Sequence, residues 1–185
     1  MKILHPFAWL TEAIQKKAFV ILFFLTSTVM AVLAILDQSL ITESVPLGIV
    51  SFEFAGSLSS AQSMVASWGA EAKIYAALSL GIDYLFMVLY AASISLGCSL
   101  TARAVNTSFL SRAGILLAWA QFLAVILDGI ENYALIKLLQ GSENALWPSL
   151  SFWCALPKFI IVLAGLTWII YGAVLIVAKK IKRSN

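Results

Sequence analysis

Histidine is almost missing from this chain, and that shortage removes several chemistries at once. The one histidine, His5, stands close to the N-terminus. A histidine metal site or a Ser-His catalytic pair deep in the fold is therefore excluded by inventory. Cysteine is scarce as well. Cys98 and Cys154 are the two, with no C-x-x-C, so thiol–disulfide chemistry has no motif to rest on. No glycine-rich phosphate loop is present either. Charge is the third shortage: 11% of residues are charged, against about 25% in soluble domains. The net charge of +3 comes without the interleaved aromatic and basic residues of a single-strand nucleic-acid binder.

Apolar residues fill the gap. They make up 62% of the chain, and the mean hydropathy is +0.97. A helix needs roughly 20 apolar residues to cross the hydrocarbon of a bilayer, and four runs qualify, at 18–36, 74–98, 113–139 and 152–178. The short alternating segments of outer-membrane barrels are absent. These runs predict an all-α fold, an integral membrane antiparallel four-helix bundle in one domain. Cys98 then falls near the inner end of the second span and Cys154 near the outer end of the fourth. They lie in opposite leaflets, beyond disulfide reach.

Basic residues set the orientation. Lys2, Lys16 and Lys17 precede the first span, Arg103 and Arg112 lie between the second and third, and Lys179, Lys180, Lys182 and Arg183 end the chain. Glu12 is the one acid among them. The opposite loops hold Asp37, Glu43, Glu53, Glu71 and Glu143, with Lys73 nearby. The positive-inside rule places both termini in the cytoplasm of an inner or plasma membrane, with 179–185 a basic tail.

Residues 1–17 are expected to form an interfacial helix, with Pro6 at its start and Phe7, Leu10 and Ile14 on one face. The first span carries Thr26, Ser27 and Thr28 as its polar residues, whose hydroxyls bond carbonyls one turn back. It reads as an uncleaved anchor, since the run exceeds the core of a signal peptide. The outer loop, 37–73, is long enough to need structure of its own. Pro46-Leu47-Gly48 reads as a turn and 49–54 as an extended apolar piece. Ser59 and Gln62 fit a capping box, opening a short amphipathic helix that Gly69 ends. This loop is expected to cover the outer mouth of the bundle. Glu53 is expected on its solvated surface, the alternative being a turn down toward the mouth.

The informative residues are polar ones inside the spans. A charged group at membrane depth costs about 2.5–3.5 kcal/mol on insertion scales, so something must offset it. In the second span Ser79, Asp83, Tyr90 and Ser93 lie on one helical stripe. In the third, Gln121, Asp128, Glu131 and Asn132 form a matching set, and Lys137 sits near enough to the end to snorkel. In the fourth, after Trp147-Pro148-Ser149, Pro157 precedes Lys158, and Gly165 and Gly172 allow close helix approach. Counting inward from the span ends brings Asp83, Asp128, Glu131, Asn132 and Lys158 toward the outer half of one bundle. Lys158 most simply pairs Glu131. The two aspartates are then left at one level, where they share a proton or bind a cation.

The ligand- or cation-binding candidates are thus Asp83, Asp128, Glu131, Asn132, Lys158, Glu53 and Tyr90, with Asp83, Asp128 and Glu131 the weaker candidates for a hard metal ion. They suit a binding or accessory protein whose pocket opens outward onto a small ligand, lipid headgroup or cation. The alternatives are a carboxylate-based membrane enzyme or proton/cation pathway, a structural or assembly subunit, and a satisfied polar network that only fixes helix register. No cofactor is identified beyond a bound cation or lipid. The expected partners are membrane lipids and a homo-oligomer or larger membrane complex, and no nucleic acid.

The strings GIVSFEFAGS, WGAEAK, LGIDYLF, LDGIENYALIKLL and WPSLSFWCALPKF resemble a family of small bacterial proteins with four transmembrane helices and no established activity. The resemblance covers roughly residues 48–160 and includes Glu53, Asp83, Asp128, Glu131 and Lys158. It implies the four-span fold and no particular reaction. In architecture alone the chain also resembles the sterol-isomerase type of four-helix membrane protein, where intramembrane acids face a lipid-sized pocket.

Overall fold

The computed structural model describes residues 4–105 and 107–184, without the side chains at 180 and 182–184. Of the residues in the orientation argument, Lys2 and the side chains of Lys180, Lys182 and Arg183 lie outside the described residues. Among the described residues six α-helices follow one another: α1 (Glu12–Asp37), α2 (Ile49–Glu53), α3 (Leu58–Ser67), α4 (Ala70–Ala104), α5 (Ser108–Leu139) and α6 (Leu146–Ser184). Among the described residues there is no strand, only an isolated bridge between Thr42 and Val45. Helices α1, α4, α5 and α6 are each long and apolar enough to cross a membrane, and they pack together. All four outrun their apolar cores, the hydrogen-bond ladder continuing into the polar ends.

Three local expectations change. The N-terminal lead is not a separate helix: residues 6–9 are turns, and the stretch from Glu12 belongs to α1. The buried Gln15 amide donates to the carbonyls of Phe7 and Leu10 at 2.7 and 2.8 Å. That fold-back takes carbonyls that a continuous helix would use itself. Residues 49–53 are helical, not extended. Gly48 has φ +56° and ψ −137°, a conformation close to the one reserved for glycine. It turns the chain so that the Asp37 carboxylate accepts the Ile49 N–H at 2.6 Å, capping α2 from the end of α1. The helix expected from the capping box is present as α3, but its cap is Ser57, whose hydroxyl accepts the Ser60 N–H at 3.2 Å.

The chain divides into two compact units, and each long helix contributes to both. One comprises Met1–Leu25, Leu89–Ala124 and Phe159–Asn185. Its helices are tied by side-chain donors to backbone oxygens. Ser95 Oγ donates to Ala118 at 2.7 Å, Gln121 Nε2 to Ile161 at 3.2 Å and Trp168 Nε1 to Cys98 at 3.3 Å. Close approach depends on small residues: a Cβ on Gly165 would meet Ile94 at 2.6 Å, and one on Gly172 would collide with Thr101. At one end His5 Nε2 meets the Arg103 guanidinium. Burial and the Arg103 charge hold His5 below its usual pKa, consistent with a neutral ring accepting that hydrogen bond.

The other unit comprises Thr26–Val88 and Val125–Lys158. Its apolar core is built by the loop on the helices: Leu40, Val45, Phe52, Ala61 and Trp68 pack with Ala76 and Leu80 of α4 and Leu135 and Leu138 of α5. Trp68 Nε1 donates to the Leu40 carbonyl at 2.9 Å, and its ring meets Phe52 edge-on at 5.2 Å. The loop is therefore part of the packed unit, and it carries α2 with it.

Candidate functional site

Every charged member of the site lies in this second unit. On α6 the buried residues Ser151, Ala155 and Lys158 recur at helical spacing, so Lys158 sits on the inward stripe and is 6% exposed. Pro157 beside it lies inside α6. It removes one backbone donor from the turn, leaving the Trp153 carbonyl without its helical partner. On α5 the buried stripe runs Ala124, Asp128, Glu131, Asn132 and Leu135. Helix α2 ends at Glu53, whose neighbour Phe52 is locked in the core.

The Lys158 ammonium is the hub. Its Nζ lies 3.0 Å from Asp128 Oδ1 and 2.8 Å from each Glu131 oxygen, with the hydrogen bond directed to Oε1. Glu53 Oε2 stands farther off, at 3.7 Å. Asn132 Nδ2 donates to Asp83 Oδ2, and Asp83 in turn neighbours Asp128. Asp83 is the partly exposed member, while Asp128, Glu131, Asn132 and Glu53 are buried. The enclosed Glu53 Oε2 receives no hydrogen bond, while Glu131 Oε2 lies against the Lys158 ammonium.

The charged residues expected from the sequence converge, with two corrections. Lys158 does meet Glu131, but it also pairs Asp128 at 3.0 Å, so the two aspartates are not left as an isolated pair. The reason is pitch: residues 128 and 131 are one turn apart on α5, and a lysine stem reaches both. Glu53 is not on a solvated surface. It is 8% exposed, because capping α2 on Asp37 and burying Phe52 bring it inward. Tyr90 is buried on α4, in the first unit. Among the described residues no group of three Asp, Glu, His or Cys side chains has the arrangement to hold a metal ion.

Sequence reasoning missed Ser151, whose hydroxyl donates to the Glu53 carbonyl at 2.9 Å and fastens α2 to α6. Its signal was available, since it precedes Lys158 by seven residues and shares its helix face. Also missed was the Asp37–Ile49 cap, which no local pattern announces across twelve residues.

Outside Lys158, burial dominates Glu53. It pushes the carboxyl up to about 7; Lys158 pulls against the rise, and the charges of Asp128 and Asp83 add to it. Both cysteines are free and buried, consistent with packing residues. In the first unit a separate open groove of about 600 Å³ is lined by Leu110, Leu117, Ala164, Thr167, Trp168 and Tyr171, with no charged group.

The chain matches no family model, no curated protein and no solved structure. The site's own chemistry is therefore the basis for its function.

Proposed function

We propose that this is a multi-pass protein of an inner or plasma membrane, an antiparallel bundle with both ends cytoplasmic. It acts as a binding or accessory protein for a small cationic group. The observation that carries this reading is the imbalance around Lys158: four carboxylates, from Glu53, Asp83, Asp128 and Glu131, gather about one ammonium. Unlike charges in a low dielectric attract strongly, and an excess of one sign draws protons or external cations. Asp83, partly exposed and oriented by Asn132, is the point of entry. An amine, free or on a lipid headgroup, suits a single carboxylate with a neighbouring amide better than a metal ion, which needs several ligands.

The test is the thermal stability of the purified protein against amines, aminated lipids and cations across about pH 5–8, beside Asp83→Asn and Asp128→Asn. A ligand at 100 times its Kd stabilises by about 2.7 kcal/mol. A rise with amines in the wild type that is lost in Asp83→Asn supports the reading. A flat panel, with both variants as stable as wild type, overturns it in favour of a neutral network. Turnover or transport abolished by both substitutions assigns an enzyme or ion pathway instead.

A second reading, a subunit of a larger membrane complex, draws on α1. None of its apolar window is buried, against 67% of that in α4. A partner helix on that face would co-purify from mild detergent and be lost on introducing charge at Phe24 or Ile35, both exposed.

A further inference from the structure

We propose that His5 is a proton-responsive tie: as a neutral ring it fastens the segment 4–11 to α4, and as a cation it lets that segment go. The observation is the hydrogen-bond contact between His5 Nε2 and the Arg103 guanidinium. A guanidinium only donates, so Nε2 must accept, and the single proton of the ring then sits on Nδ1. Nδ1 is itself enclosed, with no hydrogen-bond partner among the described residues. A second proton would turn Nε2 into a donor facing a donor and set two cations in contact. The place is built for the neutral ring. In agreement, burial and then the Arg103 charge hold His5 below its ordinary 6.5.

The other ties of the segment carry no titratable group. Leu4 O accepts Trp119 Nε1 of α5 at 2.9 Å, the Phe7 ring lies 6.3 Å from that of Phe122, and the Gln15 amide holds the Phe7 and Leu10 carbonyls. Two short-range bonds of 3.1 Å, Ala8 N–H to His5 O and Leu10 N–H to Phe7 O, stand in for a helical ladder. Among the described residues the charged groups beside the contact are Arg103 of α4 and Glu12 of α1. Helix α5 meets the segment through the uncharged Trp119 and Phe122. Glu12 is exposed and already paired with Lys16, and an exposed carboxylate screens poorly, so it does not neutralise a second cation. A segment held by so few bonds opens before the packed helices do.

Amide hydrogen exchange at Ala8 and Leu10, in phosphatidylcholine nanodiscs between about pH 4.5 and 8, reads the tie once intrinsic exchange is corrected for pH. The opened segment, with an ordinary imidazole of 6.5, takes up a proton that the fastened one refuses. Protection should therefore be constant above 6.5 and fall below it, by up to about tenfold per pH unit, until the fastened ring also titrates. His5→Gln keeps an acceptor for Arg103 and does not titrate, so it should stay protected with no slope. Arg103→Gln removes the opposing charge and offers an amide oxygen to a protonated ring, so its slope should also vanish. A flat wild-type profile overturns the proposal, as does a wild-type slope that persists in either variant. The segment lies in the first unit and no ligand is added, so failure here is distinct from failure of amine binding.

Discussion

Lys158 is the residue whose loss should be felt most. It neutralises part of a buried group of acids that otherwise repel one another, and breaking a buried pair by removing one partner costs about 3–5 kcal/mol. Lys158→Met should lower unfolding stability by about that amount in detergent. Adding Asp128→Asn and Glu131→Gln should recover most of it, because the uncompensated charges are then gone. Glu53 has the opposite pH signature to an ordinary ion-paired acid. Its carboxyl is raised in the folded protein, so its contribution is fully present below about 4.5 and is lost as pH rises through about 7. Denaturant midpoints should therefore fall across that window, and Glu53→Gln should reduce the fall.

Among the elements, α2 is placed by its surroundings more than by its own sequence. Five residues cannot nucleate a stable helix in isolation. The Asp37 cap, the Gly48 turn and the burial of Phe52 make this one. A Cβ at Gly48 would collide with the Asp37 carboxylate and force an unfavourable backbone conformation. Gly48→Ala should cost about 1–3 kcal/mol and speed exchange over 49–53. In the other unit, Gly172→Leu should push α6 from Thr101 of α4, and about 1–3 kcal/mol of overpacking should appear as a lower unfolding midpoint. The elements that were legible in advance were those with strong periodicity or long apolar runs: the four spans and α3. The N-terminal turns and α2 were not. Their decisive bonds, Gln15 to Phe7 and Asp37 to Ile49, join residues that no period relates.

For the whole molecule, the orientation proposal can be checked on intact cells. With Cys98 and Cys154 replaced by serine, a cysteine introduced at the exposed Gln62 should react with an impermeant thiol reagent added outside. One at the exposed Thr107 should react only after permeabilisation. The reverse pattern overturns the cytoplasmic placement of both ends. The chain by itself determined that four helices long and apolar enough to cross a membrane would form, because the lengths of its apolar runs match what a helical crossing needs. It also determined which spans carry the acids and the lysine, since helical pitch places Asp128, Glu131 and Lys158 on inward stripes. Tertiary structure alone decided that Lys158 would serve two acids and that Glu53 would leave the surface to become a fourth carboxylate. That choice rests on a glycine turn, a distant carboxylate cap and a phenylalanine seeking the core, and their joint effect exists only once the loop has folded onto the helices.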